Sequence, residues 1–176
     1  RQEVKVGGVP VALATAAFRD PRDSVSVVDL RDSWVDDACL ALLLPLLTKD
    51  VAVREIDMTA NCITDRGAAL LAQALRASAV SRRVKLGGNP IVGRGAHELA
   101  LLALESHEAC IEGVPLTAAL LQLRSGDAAI TSLNLQGEAL GNEAATLIAE
   151  QLASNISVTS INLADNTISD RGAEAL

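Results

Sequence analysis

The chain has 176 residues, a length typical of one domain. Hydrophobic residues make up 49% of it, so it can bury a core, whereas aromatic residues make up only 1%, which excludes a stacking platform for single-stranded nucleic acid. The formal net charge of −7 argues against nucleic acid and anionic membrane surfaces as partners, because binding phosphates requires a basic stripe.

A short pattern, in which a polar residue lies between two apolar ones, recurs along the chain and predicts half-buried strands. In chain order its copies are residues 4–6, 28–30, 56–58, 84–86, 133–135 and 161–163, and residues 110–112 are interpreted as the strand of a short unit that fits between the fourth and fifth copies. Apolar residues at three- and four-residue steps follow each copy and predict a helix. Pro45 would shorten or bend the first full helix, while Pro10 and Pro115 would open the helices of two shorter units, residues 1–27 and 106–132.

A longer repeat contains these units. Residues 53–71 resemble residues 158–176, and the offset of 105 residues aligns the start of the chain with residues 106–176 without a gap. We interpret this as a tandem duplication of a 105-residue super-repeat, residues 1–105 and an incomplete copy at 106–176. We expect one domain over residues 1–176, cut from a longer array, with uncapped ends that could self-associate end to end.

Three full units follow the pattern LxLxxNxIxxxGxxxL, which resembles the ribonuclease-inhibitor type of leucine-rich repeat, while two others have Ser33 or Glu138 at the asparagine position. Residues 56–71 carry the pattern as Ile56, Met58, Asn61, Ile63, Gly67 and Leu71, and Asn89 and Asn166 belong to further copies. The resemblance implies an α/β solenoid, a leucine-rich repeat array with parallel strands on a concave face and helices on a convex one. The asparagine is expected to satisfy backbone groups of a buried turn. The small residue, Gly67 in this copy, is expected to allow close packing of the helix start.

The sequence predicts no catalytic site, metal site or cofactor. The glycine-rich residues 87–95 lack the Lys-Ser or Lys-Thr pair of a phosphate loop. The three cysteines, Cys39, Cys62 and Cys110, do not form a disulfide framework, so we expect a reducing, cytoplasmic compartment.

The strand residues that point away from the core should line the concave face. Their middle position reads Lys5, Asp29, Asp57, Lys85, Cys110, Asn134 and Asn162 along the chain. Glu55 with Asp57 forms an acidic rung beside a basic rung of Arg83 and Lys85. These charges either only stabilise one another or dock a partner. The predicted partner-binding residues are Asp29, Arg31, Trp34, Glu55, Asp57, Arg83 and Lys85.

The leading hypothesis for function is a protein–protein interaction scaffold that is not an enzyme. Two alternatives follow from the resemblance: a GTPase-activating regulator like RanGAP, and a cytoskeletal capping module like the tropomodulin cap. Polar residues on the strand–helix loops would serve the first alternative, and the candidates are Arg66, Arg94 and Arg171.

Overall fold

The computed structural model describes residues 3–5, 26–49, 52–78, 82–106 and 109–176. Within these ranges short strands alternate with helices, as the repeated pattern predicts. The strands are β1 (Glu3–Lys5), β2 (Val27–Asp29), β3 (Glu55–Asp57), β4 (Arg82–Lys85), β5 (Ala109–Glu112), β6 (Ser132–Asn134) and β7 (Ser160–Asn162). The helices are α1 (Asp37–Lys49), α2 (Asp65–Arg76), α3 (Gly93–Glu105), α4 (Pro115–Ser125), α5 (Asn142–Leu152) and α6 (Asp170–Ala173).

The paired strands are all parallel. Strands β1 to β5 form one sheet in chain order, and β6 pairs with β7 in a second sheet. The predicted 28-residue period is the pairing register, because Val28 lies opposite Ile56 and Ile56 lies opposite Val84. The α/β solenoid is therefore confirmed. Among the described residues no pairing joins β5 to β6, a break that the sequence pattern does not predict.

The core lies between the strands and the helices. Val28, Ile56 and Val84 of neighbouring strands are at most 1% exposed, as are Leu71 of α2 and Leu99 of α3. Burying a side chain of this size contributes about 1.5–3 kcal/mol relative to leaving it in water. Packing on this face holds the strand backbones in place, so the residues on the opposite face project from a rigid support.

The repeated asparagine joins one unit to the one before it. The Oδ1 atom of Asn61 accepts a hydrogen bond from the N–H of Val35 at 2.9 Å, and its Nδ2 donates to the carbonyl of Leu30 at 2.8 Å. Equivalent bonds to the preceding unit recur at Asn89 and Asn166. The predicted structural role of these asparagines is confirmed, since they satisfy backbone groups that the turns leave unpaired.

The small position is explained by close packing, as predicted. A Cβ atom at Gly95 would lie 2.5 Å from the Cα of Asp65, and one at Gly172 would lie 2.6 Å from the Oδ1 of Asn142. Neither glycine has a positive φ, so conformational freedom is not the reason for it. Cys39 occupies the same position, is half-buried and packs against the core.

The proline expectations have different outcomes. Pro115 opens α4 at its first turn, as predicted. The expectation of a short helix at Pro45 is wrong, because α1 runs through Pro45 over 13 residues, the same length as α3. Pro45 is exposed, so its ring is accommodated on the solvent side. Pro10 and most of the first short unit lie outside the described residues.

Candidate protein-binding surface

Charged side chains cover the outer face of β2 to β5. The register places Glu55 opposite Arg83, Asp57 opposite Lys85, and Lys85 opposite Glu112. We call these residues and their neighbours the charged surface, which comprises Asp29, Arg31, Glu55, Asp57, Arg83, Lys85 and Glu112. The structure therefore brings together the six charged residues that the sequence predicts.

Sequence reasoning missed Glu112. It placed Cys110 beside Lys85, but the structure pairs Cys110 with Arg83 and Ile111 with Val84. β5 pairs with β4 at an offset of 27 residues in place of 28, so the fixed period no longer indicates the register. The sequence does contain a signal for Glu112. Ile111 is the only large apolar residue of this strand, so it is the residue that continues the buried row, and Glu112 then lies on the outer face.

The charged surface is a continuous network of ion pairs. In its first part, the guanidinium of Arg31 lies 2.7 Å from the carboxylate of Asp29 and 3.7 Å from that of Asp57. Lys85 Nζ lies 2.6 Å from Glu55 and 3.9 Å from Asp57. The hydrogen bond to Glu55 is the main cause that raises the pKa of Lys85 above its ordinary value. Lys85 therefore remains charged throughout the neutral range.

Arg83 completes the network at the other end. Its guanidinium lies 3.8 Å from Glu55 and 3.2 Å from Glu112. Four carboxylates and three cations give the charged surface a net charge of −1. The side chains of Arg83 and Arg31 are each 54% exposed and that of Glu112 is 45% exposed, so these three groups form the outermost layer that a partner would meet first.

The aspartates have a structural role that the sequence did not reveal. Asp29 and Asp57 are only 7% and 9% exposed, although their position predicts a solvent-facing side chain. The Oδ1 atom of Asp57 accepts the N–H of Thr59 at 3.1 Å, and Asp29 accepts the N–H of Arg31 at the same distance. A short polar side chain that binds the backbone two residues on stabilises a turn locally. These aspartates therefore fix the backbone at the end of each strand.

Strands β6 and β7 carry a different outer face, which we call the neutral surface: Ser132, Asn134, Gln136, Ser160 and Asn162. All five side chains are exposed. Asn162 Nδ2 donates to Gln136 Oε1 at 3.0 Å, so the amides bond to one another across the two strands. Asn134 and Asn162 also accept the N–H two residues on, at 3.2 and 3.0 Å. The hydrogen bond from the N–H two residues on is thus the same as in the charged surface, but its acceptor is an uncharged amide oxygen.

Trp34 lies on the loop that follows β2 and is 78% exposed. Its backbone has φ 56°, in the left-handed region that disfavours a bulky residue. The core does not need the indole, and the backbone does not favour it. Cys62 and Pro90 occupy the equivalent positions of the next two units and are also exposed, so Trp34 begins a row of exposed side chains along this edge.

The loop arginines do not form one group. Arg94 of α3 and Arg171 of α6 line the same cleft, whose volume is about 450 Å³, together with His97. Arg66 lies outside this cleft, in grooves that it shares with Leu70 of α2. Arg94 also lines one of these grooves, so it adjoins each of the other two candidates, whereas Arg66 and Arg171 share none of these cavities.

Other site chemistry is sparse in the part of the chain that the structure describes. There, no cluster of three or more His, Cys, Asp or Glu side chains could hold a metal ion. Cys39, Cys62 and Cys110 are free thiols, and a hydrogen bond to Asp36 is the main cause that raises the pKa of Cys39. None of the described helices combines the length and the apolar character needed to cross a membrane.

Comparison with known proteins bears on the fold. A family model described as a leucine-rich repeat matches residues 53–72 and 154–176. No curated protein sequence matches the chain with significance. The first matched segment contains β3 and the start of α2, and the second contains β7 and α6. The two segments are related by the 105-residue offset found in the sequence. The matches, the parallel strands and the asparagine bonds agree, and the fold is an α/β leucine-rich repeat solenoid.

Proposed function

We propose that this chain is a scaffold that binds a protein partner through the charged surface, with Trp34 as an additional contact on its edge. Leucine-rich repeat arrays are generally protein-interaction scaffolds. The observation that carries the proposal for this surface is internal to the molecule. Strands β6 and β7 keep the same parallel pairing and the same backbone bond with Ser and Asn in place of charged residues.

This comparison shows which part of the chemistry the fold requires. An Asp or Asn oxygen is needed to accept the backbone N–H at the end of the strand. The charge is not needed, nor is the ion-pair network built on it. Exposed ion pairs contribute little to stability, typically about 0–1 kcal/mol each. A cluster of seven charged groups on four adjacent strands is therefore better explained by recognition than by folding.

The network suits recognition by pattern. The charged side chains are held by one another and by a rigid sheet, so they lose less conformational entropy when a partner binds. Because the net charge of the surface is only −1, long-range attraction of either sign is weak. The partner should instead carry charges of both signs, spaced to match Arg31, Arg83 and Glu112 of the outer layer.

Trp34 supports the same surface. Trp is enriched among the residues that dominate binding energy at interfaces. A large apolar side chain that is exposed, and that has an unfavourable backbone φ, lowers the stability of the free chain slightly. A contact with a partner would offset this cost by burying the indole.

The experiment copies the neutral surface onto the charged one. Asp29→Asn, Arg31→Gln, Glu55→Ser and Asp57→Asn together install the residues found at positions 134, 136, 160 and 162. Because the fold already accepts these residues at equivalent positions, we expect the variant to keep its circular dichroism spectrum. Its loss of stability should be at most about 2 kcal/mol, since the Asp29–Arg31 pair is removed whole and Lys85 and Arg83, which lose Glu55 as a partner, are open to solvent.

Binding is measured with proteins captured from a lysate by the wild-type chain and identified by mass spectrometry, followed by affinity measurement on the captured partner. The neutralised variant should bind that partner about tenfold more weakly or worse. Gln136→Ala, the matched control in the neutral surface, should bind as the wild type does. Equal binding by the neutralised variant and the wild type would show that another surface carries the function.

Further properties belong to the same proposal. The 28-residue units, each with a strand and a helix, support assignment to the ribonuclease-inhibitor type. Such arrays are typically not enzymes, and we propose no enzymatic activity for this chain. Three free thiols support a reducing, cytoplasmic location. The overall charge of −7 supports protein partners rather than nucleic acid or membrane.

Three alternatives can be tested in parallel. A GTPase-activation assay tests the regulator, and co-sedimentation with filaments tests the capping module. Sedimentation of the purified chain tests end-to-end self-association. Ile161 and Leu163 of the last unit are half-buried, whereas Leu133 and Leu135 are at most 7% exposed, so a second copy could cover this apolar surface.

A further inference from the structure

The cleft between the starts of α3 and α5 has an origin in the repeat pattern. In the full units, residues 30–36, 58–64, 86–92, 135–141 and 163–169 link the strand to the helix, but in the short unit only residues 113–114 do so. The short unit therefore has no long strand–helix loop that could separate the loops of the units before and after it. The N–H of Gly93 donates directly to the carbonyl of Glu138 at 3.2 Å, across the break in the sheet. Above this contact the helices diverge around the cleft of about 450 Å³.

Three of the side chains that line the cleft are basic, and two of them, Arg94 and Arg171, have no carboxylate partner within the described part of the chain. Arg94 and Arg171 form no ion pair there, whereas Arg31, Arg76 and Arg83 are all bound to carboxylates. His97, half-buried on α3, has its Nδ1 atom buried without a hydrogen-bond partner among these residues. Two guanidinium groups and one imidazole thus line one cavity, and neither guanidinium group is bound to a carboxylate there.

The backbone adds to this positive character. The starts of α3 and α5 meet at the cleft, and their N-cap residues, Val92 and Gly141, supply no side-chain hydrogen bond to the first turn. In α2, by contrast, the hydroxyl of Thr64 accepts the N–H of Arg66. At α3 the N–H groups of Val92 and Gly93 are already taken by Asp65 and by the carbonyl of Glu138, so it is the uncapped first turn of α5 that favours an anion. Arginine side chains bind phosphate oxygens in pairs.

We propose that this cleft binds a phosphate monoester, held by the guanidinium groups of Arg94 and Arg171 and by His97. The cavity is within the range of sites for small ligands and much larger than one phosphate group. The phosphate therefore belongs to a larger body, either a free phosphorylated small molecule or a phosphorylated side chain of a partner. This site does not depend on the charged surface, so its failure would leave the proposed function standing.

One carboxylate lines the cleft and gives the proposal a second direction of test. Glu143 of α5 is exposed there and forms no ion pair with the described residues. A bound dianion would be repelled by it. Asp65 of the preceding unit, by contrast, accepts the N–H of Val92 at 2.8 Å and has a structural role.

Titration calorimetry with two probes, inorganic phosphate and a short phosphoserine peptide with its unphosphorylated form, tests the site. Arg94→Gln with Arg171→Gln should weaken binding of the phosphorylated probe by about tenfold or more, since both substitutions remove charge-assisted hydrogen bonds to the phosphate. Glu143→Gln should tighten it by about two- to fivefold. Arg66→Gln is the matched control, because Arg66 has the same helix position one unit earlier than Arg94, and it should change nothing.

The outcomes divide clearly. Tighter binding of the phosphopeptide than of inorganic phosphate assigns the site to a partner side chain, and comparable binding assigns it to a free phosphate compound. Equal loss in Arg66→Gln and in the double variant would overturn the proposal, because it would indicate charge attraction without a site. Absence of heat with both probes at millimolar concentration would also overturn it. Arg94 and Arg171 are exposed, so circular dichroism should confirm that their variants fold.

Discussion

The strand pair β2–β3 and the strand pair β6–β7 have the same backbone arrangement but different side chains on their outer faces. Strands β2 and β3 correspond to β6 and β7 at the 105-residue offset, and in both pairs the register is 28 residues. Asp29 and Asp57 in the first pair become Asn134 and Asn162 in the second. All four side chains accept the N–H two residues on, at 3.0 to 3.2 Å. Between the two regions lies the short unit with the break in the sheet.

The comparison separates structural necessity from chemistry that is free to vary. Both regions need the oxygen acceptor and the repeated asparagine. Only the first region carries the ion-pair network. Burial is similar at the first strand of each pair, since Leu30 is 2% exposed and its equivalent Leu135 is 1% exposed, but it differs at the second strand, where Met58 is fully buried and its equivalent Leu163 is half-buried. The same substitution in the two regions should therefore have different consequences, which the following variants exploit.

The largest difference is expected for the repeated asparagine. Asn61→Ala leaves buried backbone groups without partners, including the N–H of Val35 and the carbonyl of Leu30, and should lower the free energy of unfolding by about 3 kcal/mol. Asn166→Ala removes equivalent bonds where water can replace them, and should cost about 1 kcal/mol. Urea titration followed by circular dichroism measures both. Equal losses would show that burial does not distinguish the two regions.

A smaller effect is expected at the end of the strand. Asp57→Ala removes the acceptor for the N–H of Thr59 and should cost about 1–2 kcal/mol. Asp57→Asn keeps an oxygen in that place, as Asn162 does, and should cost about 0.5 kcal/mol, the contribution of the partly exposed ion pairs. Thermal unfolding compares the two variants. If Asn costs as much as Ala, the charge rather than the acceptor stabilises β3, and the neutral surface is a poor guide to the charged one.

The smallest effect is expected at Glu138, next to the break in the sheet between β5 and β6. Glu138 takes the place of the repeated asparagine in its unit, at the position that Ser33 has in the first super-repeat, and burial raises the pKa of its carboxyl. With a folded pKa above the unfolded value of about 4.3, the stabilising proton is bound below that value and lost as pH rises through the folded pKa. Glu138→Gln should therefore be slightly more stable than the wild type at neutral pH.

The same variant has a defined pH dependence. Its advantage should shrink as the pH falls towards the unfolded value, because the wild-type carboxyl is then protonated in both states. Urea midpoints measured across this pH range check the prediction. An advantage of Glu138→Gln that does not change with pH would assign the effect to packing instead of charge.

Much of the fold could be predicted because the repeats test one another. A single apolar–polar–apolar segment such as residues 56–58 is weak evidence, but its recurrence at a fixed period leaves few other arrangements that bury every copy. The roles of Asn61 and Gly95 followed from the same recurrence. The candidate site was predicted in part: the charged residues were identified, but not the burial of Asp57, the pairing of Glu112 or the convergence of Arg94 with Arg171.

The sequence by itself therefore determined the repeated unit, its strands and helices, and the residues on each face, because the alternation of apolar and polar residues is local and has a period of two. Only the tertiary structure decided how the short unit affects its neighbours. The short unit pairs with β4 at an offset of 27 residues in place of 28, the sheet is interrupted after its strand β5, and a cleft lies between helices from units far apart along the chain. Those effects depend on which backbones meet when the units stack, and no pattern within a single unit specifies that contact.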